Sequence, residues 1–419
     1  MNGRERLEAA LNHRQTDRPP VDLGSCGQTG ISASTLYKLR EALGLPKTPV
    51  KVIEPFQMLG EVDEDLRKAL GVDVVGLWNR GTFFGYNNEN WKPWTMRDGT
   101  PVLMAGGFEY DTDEKGDIWL YPQGDRTVPY SAHMPDSGYF FDNIERAPAV
   151  DEAALTPVED YQGDFGIPGD EDAKYWEEMS IKLYEETSYG IMGVLGGAGL
   201  GDVAMIPGPS LKYPRGIRTI EGWLMAHLLY PDYVREVFKM QTEAALKSLE
   251  IYREAVGDRI QAVWLSGTDF ATQNSLFMAI DTFRDLYKPF YETINGWVHS
   301  HTKWKTFYHT CGAVEPLIDD LIDMGVDILN PVQCTAKGME PRGLKEKYGD
   351  RIVFWGGAAD SQTVLPYGTP EEVAAQARER IEIFSKGGGY VFAPIHNIVA
   401  KVSPENVIAL FGAVNGSSK

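Results

Sequence analysis

The stretch KTFYHTCGAVEPLIDDLIDMGVDILNPVQC, residues 305–334, decides the fold class. It opens with a short apolar run that gives way to glycine, continues with an amphipathic helical pattern over 314–324, and returns to a second apolar run at 327–334. Strands covered on both faces show such continuous apolar runs, and a helical crossover between two of them joins parallel strands. The stretch therefore predicts a strand–helix–strand unit of a parallel sheet.

Similar units occur along most of the chain. The predicted strands are 20–25, 72–78, 190–197, 262–269, 305–312, 327–334, 352–360 and 390–397, with helical stretches between them. Eight such units are what a (β/α)8 TIM barrel needs, so we predict an α/β fold with one barrel domain over 1–419. A doubly wound sheet is the main alternative, but it lacks here its usual Gly-rich turn directly after the first strand.

Residues 81–150 have a different character. Helical periodicity disappears, and short apolar-polar alternations are separated by turn sequences such as RDGTP and DEKGD. These turns are typical of antiparallel hairpins. We therefore predict a β-rich insertion of antiparallel β-hairpins within the barrel.

Composition restricts the class of partner and the compartment. The chain of 419 residues has 60 acidic and 40 basic side chains, a net charge of −20 that disfavours binding to nucleic acid or to an anionic membrane surface. No apolar stretch approaches the roughly 20 residues that span a bilayer, and the first residues do not resemble a signal peptide. Three cysteines argue against a disulfide framework. The sequence predicts a soluble, cytoplasmic protein.

Polar residues collect at the C-terminal ends of the predicted strands, which form the active-site mouth of a barrel. His309 and Cys311 stand two apart on one extended segment and thus point the same way, and imidazole and thiolate are preferred zinc ligands. Cys334 at the next strand end and His396 across the mouth are further candidate ligands. The alternative is that Cys311 packs as a small apolar residue while His309 bonds a backbone carbonyl.

Other residues at the strand ends are candidates for contact with a substrate. Asp269 is a candidate general base or hydrogen-bond acceptor, although a helix N-cap is an equal alternative. Gln333 could hydrogen-bond a polar ligand. The candidate substrate-binding residues are Trp78, Arg80, Gln273, Asn330 and Asp360. For Arg80 a surface ion pair is an equal alternative. The glycine-rich stretch at 193–202 has no Walker ending and predicts room for a bulky, flat ligand.

Three segments, FYHTCGAVEPLIDDLIDMGVDILNPVQ, FWGGAAD and GGGYVFAPIHNI, resemble the uroporphyrinogen decarboxylase superfamily of single TIM barrels. That superfamily contains the heme-pathway decarboxylase and corrinoid-dependent methyltransferases. The decarboxylase has an arginine-rich signature after its first strand, where this chain reads DLGSCGQTGIS. The resemblance therefore favours the methyltransferase branch.

The resemblance implies a methyltransferase that moves a methyl group between a small substrate and the cobalt of a corrinoid (cobalamin) protein. A methoxylated aromatic, as in an O-demethylase, or a methylamine would donate the methyl group to cobalt, or methyl-cobalt would instead donate it to a thiol or a pterin. Zinc would be held by His309, Cys311 and either Cys334 or His396, because the last-strand cysteine of these enzymes is replaced here by APIHN. Asp269, His309 and Gln333 would be the catalytic residues. A homodimer is compatible with the resemblance.

Two other functions stay open from the sequence. A tetrapyrrole decarboxylase would need no metal, and a non-enzymatic barrel would bind a corrinoid without transferring a methyl group.

Overall fold

The computed structural model describes residues 1–148, 150, 154–414 and 416. Its strands are β1 Val50–Glu54, β2 Leu59–Gly60, β3 Val74–Leu77, β4 Lys92–Thr95, β5 Pro101–Met104, β6 Tyr110–Thr112, β7 Ile118–Leu120, β8 Ala132–Met134, β9 Asp142–Asn143, β10 Gly190–Val194, β11 Ala262–Ser266, β12 Lys305–His309, β13 Ile328–Asn330, β14 Val353–Trp355 and β15 Tyr390–Val391.

The α-helices of this part of the chain are α1 Gly3–Leu11, α2 Ala33–Ala42, α3 Glu64–Leu70, α4 Pro157–Tyr161, α5 Asp170–Glu186, α6 Ile220–Leu229, α7 Pro231–Val256, α8 Ile280–Leu286, α9 Lys288–His301, α10 Ile318–Asp323, α11 Pro341–Tyr348, α12 Val364–Tyr367, α13 Pro370–Phe384 and α14 Pro404–Gly412. None of these helices has the length and apolar character needed to cross a membrane.

Helix ends coincide with local sequence signals. Helix α13 begins at Pro370, where Thr369 accepts from the Glu372 N–H and the Glu372 carboxylate accepts from the Thr369 N–H. Such a capping box satisfies two backbone N–H groups that no helical carbonyl can reach. Helix α3 follows the Asp63 cap and ends at Gly71, whose left-handed φ of 68° suits glycine.

A parallel sheet of seven strands forms the centre of the fold, in the order β15-β14-β13-β12-β11-β10-β3. Each pair of neighbours is parallel. Chain order equals spatial order, as right-handed strand–helix–strand crossovers produce. The predicted α/β class is confirmed, and the curled sheet is compatible with the TIM-barrel prediction.

The predicted first strand, 20–25, is much shorter in the structure. Only Val21 and Asp22 form parallel bridges, to Phe392 and Val74 respectively. The Asp22 carboxylate then accepts from the Ser25 N–H and hydroxyl, and Gly24 has a φ of 83°, so the chain turns out of the extended conformation. The two bridges connect this segment to both edges of the seven-stranded sheet.

An apolar cluster lies on the concave face of the sheet, separate from the larger core of the protein. It takes alternate residues of successive strands: Val74, Met192, Ala262, Phe307, Ile328, Val353, Trp355, Val391 and Ala393. Leu7 and Leu11 of α1 join it, as does the buried Cys26. Because side chains alternate along a strand, the residue two beyond each cluster member points to the same interior.

The segment between β3 and α4 contains short sheets. Strands β4 and β5 pair antiparallel, and β5 also pairs in parallel with β1. Strands β6 to β9 form a separate antiparallel sheet in sequence order.

Candidate active site

The interior row of β12 leads directly to the candidate site. Phe307 belongs to the interior cluster, and His309, two residues later, continues that row at the strand's C-terminal end. In the ladder His309 lies opposite Asn330, the last residue of β13. Strand parity and register therefore bring these two side chains together at the mouth of the sheet.

Three side chains could hold one metal ion there. The ligand atoms of His309, Cys311 and His396 all lie within 4.8 Å of one another. The Cys311 Sγ is 3.4 Å from the His309 Nε2, and the rings of His309 and His396 have centroids 5.2 Å apart. Two imidazoles and a thiol are a donor set that zinc accepts, with a fourth position left for a ligand.

The tautomer of His309 follows from its neighbours. The Asn330 Nδ2 donates to the backbone carbonyl of Trp355 at 2.8 Å, which turns the amide oxygen toward His309. That oxygen is 2.5 Å from the His309 Nδ1, so Nδ1 carries the proton and donates it. The lone pair is then on Nε2, the nitrogen beside the Cys311 thiol, as a ligand nitrogen requires.

Two side chains fix the turn that carries Cys311. The Asp269 carboxylate accepts from the Cys311 N–H at 2.6 Å, and the Gln333 amide oxygen accepts from the next N–H, that of Gly312, at 2.9 Å. Gly312 has a φ of 89°, and a Cβ there would lie 2.5 Å from the carbonyl oxygen of Thr272. Only glycine fits this turn without displacement.

Burial sets the protonation of the cluster. It lowers the pKa of His309 to about 4 and that of His396 to about 4, so both imidazoles are neutral at pH 7. Burial and the nearby Asp269 raise the pKa of the Cys311 thiol above its ordinary value. A divalent cation would reverse that shift, because a coordinating thiol is deprotonated.

A cavity of about 560 Å³ opens onto this cluster, and His309, His396 and Asp269 line it. Seven aromatic residues also line it: Phe56, Trp78, Phe83, Tyr161, Phe165, Trp223 and Trp264. The rings of Phe56 and Phe83 are stacked with centroids 4.4 Å apart. A volume of this size takes a small organic molecule.

The charges of the cavity wall are acidic. Glu54, Asp164, Asp202 and Asp269 contribute to the described lining, and no Lys or Arg does. The Asp164 carboxylate forms an ion pair with the Arg218 guanidinium, with an N–O distance of 2.7 Å. Burial raises the pKa of Glu54 to about 7 and that of Asp202 to about 7. Burial also raises the pKa of Asp269.

Comparison with known families identifies the part of the chain that carries the cluster. The model of the uroporphyrinogen decarboxylase (URO-D) family matches residues 213–417. This part of the chain is a URO-D family domain. This domain contains His309, Cys311 and His396. The match to the family confirms the superfamily resemblance seen in the sequence.

Individual relatives of the URO-D domain have different names. A methylcobamide:CoM methyltransferase from Methanosarcina barkeri is 28% identical over 195 residues, 46% of this chain and 52% of that protein. The chain thus spans about half the length of that relative. A uroporphyrinogen decarboxylase from Pseudoalteromonas translucida is 22% identical over 71% of this chain and 92% of its own length. A solved methyltransferase from Methanosarcina mazei aligns with a TM-score of 0.56 at 20% identity over 99% of each chain, a likeness that concerns the fold.

The other candidate residues in and around the URO-D domain occupy various places. Cys334 does not join the described cluster: its thiol donates to the Val332 carbonyl at 3.2 Å and lies beside Gly357. Trp78 lines the cavity, and its Nε1 donates to the Gly24 carbonyl at 3.3 Å. Arg80 forms ion pairs with Glu171, Glu89 and Asp172.

Asn330, Gln333, Gln273 and Asp360 are not part of the described cavity wall. Asn330 and Gln333 hold His309 and the Cys311 turn in place. Gln273 is exposed and accepts from the Lys337 N–H through its backbone carbonyl. Asp360 accepts from the Gln362 N–H at 2.8 Å and closes the turn before α12.

Gln28, which follows the predicted first strand, lines the cavity, whereas sequence reasoning did not single out the lining carboxyl groups Glu54, Asp164 and Asp202, which lie outside the URO-D domain. Asp202 ends the glycine-rich stretch, and Gly197, Gly199 and Gly201 of that stretch also line the cavity. An acidic residue at the end of a glycine-rich stretch was therefore the sequence signal that could have identified Asp202 as a lining residue. Glu54 stands in KVIEPF, where nothing distinguishes it from a surface carboxylate.

Proposed function

We propose that this protein is a methyltransferase that moves a methyl group between a small substrate and the cobalt of a corrinoid protein, with zinc held by His309, Cys311 and His396. The observation that carries the proposal is the convergence of these three ligand atoms beside a substrate-sized cavity, which His309 and His396 line. The named methyltransferase relative supports it. Bound zinc would supply Lewis-acid chemistry, lowering the pKa of a coordinated thiol or hydroxyl and polarising a leaving atom.

The chain's own residues prepare the site. Asn330 accepts the Nδ1–H of His309, which leaves the lone pair of the ring on Nε2. Asp269 and Gln333 fix the backbone of the turn that carries Cys311. The aromatic wall would contact the methyl donor and displace water from it. In the transfer, the bond between the methyl carbon and its heteroatom breaks with the electron pair left on the heteroatom. Cobalt(I) of the partner supplies the pair for the new cobalt–carbon bond.

The cavity wall argues against a tetrapyrrole decarboxylase. Such a substrate carries several carboxylates, and the described wall offers it carboxylates and no Lys or Arg. Gly27 and Gln28 line the wall where the decarboxylase signature would place arginines. Like charges in a poorly solvated site repel strongly, so a polyanion would bind weakly.

We also propose that the curled sheet is an eight-stranded barrel and that residues 81–150 are an insertion in it.

Metal analysis with a matched pair of variants tests the proposal. We expect about one zinc per purified chain, and we expect Cys311→Ala to lose it while Cys334→Ala keeps it, because only the first thiol lies in the cluster. A spectral assay of cobalt(I) and methyl-cobalt cobalamin with a panel of methyl donors should show transfer by the wild type and by Cys334→Ala only.

A fully active protein without zinc, or zinc retained by Cys311→Ala, would contradict the ligand set. Release of CO2 from uroporphyrinogen would instead favour the decarboxylase, and cobalamin binding without methyl transfer to any donor would favour a corrinoid-binding non-enzyme.

A further inference from the structure

We propose that the cavity takes a methylated ammonium cation, with carboxylates and aromatic faces around its positive charge. This inference rests on the proposed function and names the class of methyl donor. It starts from the charge of the described cavity wall, where three carboxyl groups, those of Glu54, Asp202 and Asp269, have no Lys or Arg beside them in the lining.

Asp202 leaves one carboxylate oxygen for a ligand. Its Oδ1 accepts from the Ala204 N–H at 2.9 Å, and no ion pair to Asp202 occurs in the described part of the chain. A Cβ built on Gly267 would lie 3.4 Å from the Asp202 Oδ2 and 3.2 Å from Cζ2 of Trp264. The carboxylate and the indole therefore border the same small gap, which the glycine keeps open.

Glu54 forms a second pairing of carboxyl and aromatic groups. Its two oxygens accept from the backbone N–H groups of Phe56 and Gln57 at 2.9 and 2.8 Å, which holds the group in place beside the stacked Phe56 and Phe83 rings. The Cγ of Glu54 is 4.0 Å from a Cβ built on Gly27, a residue of the segment after the shortened first strand. Both Glu54 and Gly27 line the cavity.

A quaternary or tertiary ammonium fits this wall better than a neutral ether. Methyl groups on nitrogen leave no N–H groups, or one, to donate, so recognition depends on ring faces and nearby negative charge, which the wall supplies. Burial favours the neutral forms of Glu54 and Asp202, and a bound cation would restore their charged forms.

The electron balance of the transfer is compatible with the same class, although a quaternary nitrogen has no lone pair that zinc could polarise. When a methyl group leaves a quaternary nitrogen, the nitrogen keeps the C–N electron pair and becomes a neutral amine, so no proton is needed on the leaving group. Cobalt(I) gives up two electrons to the new cobalt–carbon bond. An ether would instead release an oxyanion, which has to take up a proton or bind a cation, whereas the amine leaves as a neutral molecule.

Calorimetric titration with choline and with its neutral isostere 3,3-dimethylbutan-1-ol isolates the charge, because the two probes differ by nitrogen in place of carbon. We expect choline to bind at least about tenfold more tightly, the ratio that a desolvated cation–aromatic contact with nearby carboxylates supports. Equal binding of the two probes, or binding of neither, would overturn the inference.

Two variants locate the binding determinant. Asp202→Asn keeps the acceptor for the Ala204 N–H and removes the charge, so we expect it to lose most of the preference for choline. Asp232→Asn removes one charge from a side chain that is fully exposed and should keep the preference. If Asp202→Asn does not fold, Glu54→Gln provides the same comparison, and unchanged preference in the folded variant would refute the role of the carboxylates.

This titration needs neither corrinoid nor methyl transfer, so its failure is distinct from failure of the proposed function. A protein that demethylates a methoxylated aromatic, holds zinc and ignores choline would retain the methyltransferase proposal and refute the cation. A protein that prefers choline but lacks zinc and transfers no methyl group would do the reverse.

Discussion

Gly312 is the residue whose replacement gives the clearest test of the active-site turn. Its φ is 89°, and a Cβ would stand 2.5 Å from the Thr272 carbonyl oxygen and 2.6 Å from that of Ala271. Both obstacles are backbone atoms, which cannot rotate away as a flexible side chain can. Gly312→Ala therefore forces the backbone of the turn to move.

The cost has two parts. A residue with a Cβ in the left-handed region loses about 1–2 kcal/mol, and an overpacked interior site loses about 1–3 kcal/mol. We expect the free energy of unfolding to fall by about 2–5 kcal/mol from these two parts together. Because Gln333 holds the Gly312 N–H and Asp269 holds the adjacent Cys311 N–H, displacement of the turn should also weaken metal binding.

Urea denaturation and zinc content are the two measurements. Gly296→Ala is the matched control, since Gly296 lies within α9 and a Cβ there meets nothing within 4 Å. That control should gain up to about 1 kcal/mol from the better helix propensity of alanine. If Gly312→Ala unfolds at the wild-type denaturant concentration and keeps its zinc, the account of the turn is wrong.

Three further predictions concern the site and the interior. Asn330→Ala removes the acceptor of the His309 Nδ1–H and should weaken zinc affinity about 10–100-fold in a chelator competition, whereas unchanged affinity would show that the amide does not orient the ring. Burial raises the pKa of Asp202 from its usual 3.8 to about 7, so its contribution to stability is complete below pH 3.8 and is lost as pH rises toward 7. Asp202→Asn should thus gain stability relative to the wild type as pH rises from 3.8 to about 7, by at most about 4 kcal/mol, and a pH-independent difference in melting would refute this. Leu7→Ala should lower the free energy of unfolding by about 2–5 kcal/mol, because Leu7 is fully buried in the interior cluster, and a near-neutral result in urea denaturation would contradict that packing.

The parallel core of the fold was predictable because each strand is buried on both faces. The resulting apolar runs at 190–197, 262–269 and 305–312 contain β10, β11 and β12. The predicted strand at 20–25 was too long because the Asp22 carboxylate bonds Ser25 and turns the chain, a contact that composition does not reveal. The helical stretch predicted between the strands at 262–269 and 305–312 is interrupted at Tyr287, between α8 and α9 and ahead of Pro289.

The candidate metal ligands were only partly predictable. His309 and Cys311 are close in sequence, so the spacing of two residues was enough to predict their proximity, although β12 ends at His309 and Cys311 lies in the turn that Asp269 and Gln333 hold. His396 comes after β15, which is separated from β12 by two strands, and its ring reaches His309 because the sheet curls. Curvature arises from the packing of the whole sheet, so a local pattern does not contain it.

Cys334 shows where the parity argument ends. Had β13 stayed extended, residues 330, 332 and 334 would all have faced the interior, and Cys334 would have joined the cluster. The strand ends at Asn330, and Val332 has a φ of 59°, which breaks the alternation. The Cys334 thiol then faces the Val332 carbonyl instead of His309. Alternation extends only as far as the ladder that enforces it, and a candidate ligand beyond the last paired residue therefore needs the turn geometry as well as the count.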